Sequence, residues 1–144
     1  MKRSRAELAA QLMKAARGAG LPLGVAEDLY AAAGFLDPED VARIAADLAQ
    51  GGAELVALMH ALDAVECGQG SSLTSSLAPA LAAARGWRLE AGRKAEGAVP
   101  VLSHRIEIPD DRWAELDAHA ARTYVPDTAA SRAQGAGAGQ IDND

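Results

Sequence analysis

Ser131 and Arg132 stand just ahead of three alternating glycines, Gly135, Gly137 and Gly139, and of two carboxylates, Asp142 and Asp144. Backbone N–H groups in a Gly-rich turn can converge into a nest for an anion, and an arginine beside it can grip a phosphate or carboxylate through two donors. Arg17, directly before Gly18, offers a second cation that a small anionic ligand could share with Arg132. Asp142 and Asp144 supply the oxygen ligands that Mg²⁺ or Ca²⁺ prefer, but two carboxylates so close on one stretch make a poor cage, and no metal site is assigned. There is no Gly-x-x-x-x-Gly-Lys loop and no strand followed by Gly-x-Gly-x-x-Gly, so neither a P-loop nor a dinucleotide site is expected, and no cofactor. Plainer readings stand beside these. A Gly- and Ala-rich end is also what a solvated tail tolerates, and a cation in the last turn of a helix is favoured by the dipole alone.

Other constellations are weaker. Cys67 needs a histidine to act as a thiolate, and His60, His104 and His119 carry no local signature that pairs one with it. Zinc spacings are absent, and Ser71, Ser72, Ser75 and Ser76 lack a nucleophile elbow. Glu27/Asp28 and Asp110/Asp111 fall at helix starts, where capping and the dipole account for them.

What must position these groups is a chain of 144 residues, enough for a single domain over 1–144 with a Gly-rich tail at 131–144. About a quarter of the residues are alanine, and each buried alanine removes far less apolar area than a leucine. A lightly cored bundle of this kind favours a self-association or partner surface. A net charge of −6 and a pI near 5.0 argue against nucleic-acid binding, which needs a clustered basic face. No apolar run approaches membrane-span length and no signal-peptide pattern follows Lys2-Arg3-Ser4-Arg5, so the expected location is the cytoplasm, away from membranes, in keeping with a single cysteine.

Ser4 and Glu7 form a capping box that opens a helix ended by Gly18 and Gly20, and Pro22 suits the first position of the next. Asp37-Pro38 opens a third helix. Leu55 to Val65 is apolar around most of its circumference, which predicts the most buried helix and the centre of the bundle. After a polar loop over 67–76 and a short helix over 77–85, the period changes to two. Trp87, Leu89 and Ala91 alternate with charges, as do Leu102, His104, Ile106 and Ile108, which predicts a hairpin across 87–108 with its loop at Gly92–Gly97. Asp110 then caps a last helix running toward Pro126, with Trp113, Leu116, Ala120 and Tyr124 on one face. The fold class is mainly α, a helical bundle of five to six helices with a minor β-hairpin.

Lys14-Ala-Ala-Arg-Gly-Ala-Gly-Leu21 with Gly24-Val-Ala-Glu-Asp28, and Thr123-Tyr-Val-Pro126 with Ser131-Arg132, Gly135 to Gly139 and Asp142-Asn-Asp144, together resemble the opening and close of an uncharacterised bacterial family of short cytoplasmic proteins. The family is catalogued as a domain of unknown function, and the resemblance implies no activity and places no site in roughly residues 37 to 108. Two functional expectations follow. In the first, the chain is a non-catalytic accessory or assembly protein, a homo-oligomer or the companion of a co-encoded enzyme, with the C-terminal block as its contact element. In the second, it is an enzyme or binding protein recognising a small anionic ligand through Arg17, Gly18, Ser131, Arg132 and the tail glycines. The tail carboxylates, for their part, could pair with Arg17 or with Lys2, Arg3 and Arg5.

Overall fold

A computed structural model describes residues 1–70, 72–100 and 102–123. Six helices follow one another: α1 Arg5–Gly18, α2 Leu23–Ala32, α3 Pro38–Ala49, α4 Ala53–Glu66, α5 Ala78–Ala84 and α6 Asp110–Ala120, the last continued by a 3-10 turn at Ala121–Thr123. Four three-residue strands accompany them: β1 Lys2–Ser4, β2 Arg88–Glu90, β3 Arg93–Ala95 and β4 Arg105–Glu107. The chain is thus a mainly helical bundle with a minor hairpin, as its periodicities require.

Local chemistry sets the helix boundaries. Ser4 Oγ accepts from the Glu7 amide while the Glu7 carboxylate accepts from the Ser4 amide, and Asp37 and Asp40 do the same for α3 with Pro38 at its first position. Two proline-led starts are shifted by one residue from the expectation. Pro22 and Pro109 are themselves the N-caps of α2 and α6, so Asp110 lies inside the first turn of α6, where its charge favours the dipole without capping.

The centre of the bundle is α1, and this corrects the expectation for α4. Leu8, Leu12, Ala15 and Ala16 are fully buried, and α1 packs against α2, α6 and the 3-10 turn. At its end Gly18 lies so close to α6 that a Cβ there would collide with the His119 carbonyl, while Gln11 Nε2 donates to Asp117 Oδ1 at 2.5 Å across the same interface. By contrast α4 buries one side, with Leu55, Leu58, Met59 and Leu62 inward and Ala57, His60 and Asp63 outward. The central place goes to the helix whose small residues let neighbours approach from two directions, and not to the one with the most large apolar side chains.

The strand pairing also differs. The hairpin is β2 with β3, closed by Ala91 and Gly92, both at positive φ (48° and 73°), the mirror-image turn that matches strand twist. The expected return strand instead joins the N-terminal stretch. Here β4 pairs antiparallel with β1, Arg3 opposite Ile106, and the Arg5 amide donates to the His104 carbonyl at 3.1 Å. The Arg5 guanidinium extends the junction, donating to the carbonyls of Ser103, Ala33 and Leu36 at 2.6, 2.7 and 2.8 Å. Arg3 stacks on Trp113, 4.4 Å from the ring centroid. Two of the three N-terminal cations therefore serve the fold, which counts against that cluster as a partner for the tail.

Arg85, at the C-cap of α5, ties three elements together. Its guanidinium meets Asp28 of α2 at 3.2 Å and Asp63 and Glu66 of α4 at 2.6 and 3.4 Å, while Glu66 also accepts from the Trp87 indole N–H at 2.6 Å.

Gly18→Ala should lower the unfolding free energy by about 1–3 kcal/mol or more in urea titrations, because both clashing partners are backbone and the helices must separate. Gly24→Ala, on the exposed side of α2 with nothing in its way, should be neutral or stabilising by about 0.5–1 kcal/mol. Arg85→Ala should cost about 1–3 kcal/mol, and added salt should recover part of that loss by screening the three carboxylates left facing one another.

Candidate functional site

The outward face of α1 carries Ala10, Met13, Lys14 and Arg17, spaced i, i+3, i+4, i+7 and so aligned along one stripe. Beside it lie Tyr30 of α2 and Thr123 at the end of the 3-10 turn. Together they line an open groove of about 530 Å³. Met13 and the half-exposed Tyr30 ring give it an apolar floor, and the exposed Lys14 and Arg17 put two positive charges on its rim. Ion pairs between described side chains go elsewhere, Arg43 to Glu39, Arg85 to its three acids and Arg112 to Glu115. An apolar floor with a cationic rim suits an anion that carries an apolar body.

Of the residues singled out from the sequence, Arg17 lies in this groove. Gly18 packs against α6, where its missing side chain lets α1 meet the His119 carbonyl. Ser131, Arg132, Gly135, Gly137, Gly139, Asp142 and Asp144 lie outside the described residues, but Thr123, from which that segment departs, is one of the groove's lining residues. Lys14 and Met13 were not singled out as site residues from the sequence. Tyr30 was missed altogether. Its signal was a large aromatic among the small residues of α2, half exposed in a chain that has few aromatics to spare.

A second hollow, of about 570 Å³, opens between α3, α4 and the loop before α5. Two of its three charged side chains, Arg43 and Asp47, already serve the fold. Arg43 Nη2 donates to Glu39, and Asp47 caps α4 by accepting from the amides of Glu54 and Leu55 at 3.3 and 2.9 Å. Cys67 is exposed at the C-cap of α4, and no cluster of three or more metal-ligating side chains occurs among the described residues. None of the described helices is long and apolar enough to cross a membrane.

His119 sits at the α1–α6 contact, about nine-tenths buried, with a buried Nδ1 that has no hydrogen-bond partner among the described residues. Burial, and then the positive charge of Arg122, push its pKa below the ordinary 6.5, with Glu115 pulling weakly the other way.

In comparisons with known proteins, no family model, no curated protein and no solved structure matches this chain.

A histidine held neutral in the fold takes up a proton more readily once unfolded, so its contribution to stability is complete above pH 6.5 and declines as the pH falls through that value toward the lower folded pKa. Denaturation between pH 8 and pH 5 should therefore show a loss of stability beginning near 6.5, and His119→Gln should flatten that part of the profile. An unchanged profile in the variant would assign the loss to other groups.

Proposed function

We propose that this protein is a non-catalytic accessory or assembly protein that self-associates or holds a partner enzyme through its C-terminal block. One observation carries this reading: the C-terminal segment departs from Thr123, on the lining of the one groove that also contains Arg17. From the two blocks of the family resemblance, Lys14 to Asp28 and Thr123 to Asp144, the described residues Lys14, Arg17 and Thr123 line this groove. The thin core points the same way. Eleven of the buried apolar residues are alanines, so further burial on association would add proportionately more here than in a leucine-rich bundle.

The groove's cationic rim also supports a second reading, in which a small carboxylate or phosphate is recognised by Arg17 and Lys14 together with Ser131, Arg132 and the tail glycines. The two readings part on whether a macromolecule or a small anion answers to the same residues.

Light scattering should give the full chain a mass that is a multiple of 14.8 kDa, or a stable complex with the co-encoded enzyme, and deletion of 131–144 should abolish that association. A mass and melting temperature indifferent to the deletion would overturn the assembly reading. For the second reading, organic acids or phosphates should raise the melting temperature of the full chain, and Arg17→Ala should remove the effect.

A further inference from the structure

The groove beside Thr123 poses a question that the assembly reading leaves open: what holds the C-terminal block in one place so that it can act as a contact element. The groove asks for an apolar side chain on Met13 and Tyr30 with negative charge directed at Lys14 and Arg17. The chain itself contains one such stretch. Between Pro126 and Asp144, Ile141 is the only large apolar residue, and Asp142 and Asp144 follow it at once. Seventeen residues, 124–140, separate Ile141 from Thr123. At about 3.3–3.6 Å per extended residue that is ample to leave the groove and return to it.

We propose that residues 141–144 dock in the groove of their own chain, Ile141 against Met13 and Tyr30 and the carboxylates of Asp142 and Asp144 at Lys14 and Arg17. Residues 124–140 then form a loop anchored at both ends, displaying Ser131, Arg132 and the alternating glycines to a partner. This rests on the assembly reading for what the loop is for, but not for whether it closes. The same-chain occupant is favoured over a second copy because the tether starts on the groove's own lining, and a short tether holds its end at an effective concentration of about millimolar. Arg5 is taken by three carbonyls and Arg3 by Trp113, whereas Lys14 and Arg17 line the groove itself and supply its charge complement.

The test uses the full chain with Cys67→Ser, needed because Cys67 is exposed, and Gln140→Cys carrying a nitroxide. Amide signals of Ala10, Met13, Lys14, Arg17 and Tyr30 should lose most of their intensity relative to the reduced, diamagnetic sample. Lys14→Ala with Arg17→Ala, or Asp142→Asn with Asp144→Asn, should restore those signals while the rest of the spectrum stays dispersed. So should salt at about 1 M, where screening acts over about 3 Å. No broadening at the groove, or broadening indifferent to these substitutions, would overturn the proposal. A sample mixing isotope-labelled chains without nitroxide and unlabelled chains with it decides the source. Broadening there of the strength seen in the single sample would assign the groove to a neighbour's tail and overturn the same-chain form. Mass measured alongside keeps the two ideas apart. A tail-dependent oligomer without groove broadening removes the docking and leaves the assembly reading, and groove broadening in a strict monomer without a partner does the reverse.

Discussion

The close approach of α1 and α6 at Gly18 is the constraint on which the rest of the bundle depends. With so few large side chains, the fold cannot gain much from filling wide gaps between helices, at about 0.8 kcal/mol for each buried methylene. It gains instead by removing the gaps. Ala9, Ala15 and Ala16 let neighbouring helices approach α1, and at Gly18 even a methyl group is too much. Close backbone approach raises the dispersion contacts of each small residue, which is how an alanine-rich core becomes dense.

Density of this kind needs edges held in register, and polar contacts between distant segments supply that. Arg5 draws the stretch before β4 and the end of α2 onto the start of α1, using carbonyls that helix ends and loops leave without partners. Arg85 does the same for α2, α4 and α5 with carboxylates. Because those acids are partly exposed, the network contributes less by Coulomb attraction than by fixing one arrangement of three helices. The two arginines tie different sets of elements and together limit how far the small-residue contacts can slide.

Features that depend on neighbouring residues were legible in the sequence. The capping boxes at Ser4 and Asp37, the polar loop over 67–76 and the short helix before Arg85 follow from chemistry confined to a few positions. Pairing of Lys2–Ser4 with Arg105–Glu107 was not, since alternation marks a strand without naming its partner and the two segments lie at opposite ends of the described chain. The tight turn at Ala91-Gly92 was hidden for a different reason: alanine rarely adopts positive φ, so the pair lacks the usual Asn-Gly signature. The rank of α1 escaped notice because hydrophobicity counts side-chain size, whereas the central helix here was chosen for lacking it. Of the groove, Arg17 was legible and Tyr30 was not, because a residue of α2 joins the α1 stripe only through packing.

The two faces of α1 make the groove a consequence of the core. Arg17 and Gly18 are adjacent, one turned to the groove and the other to α6, and Thr123 follows α6 by a single 3-10 turn. The distance between the cationic rim and the point where the C-terminal segment departs is therefore set by how closely Gly18 meets His119. Any bulk added at Gly18 moves Thr123 away from Lys14 and Arg17 by widening the helix crossing. The glycine thus fixes the spacing within which the neighbouring arginine can work.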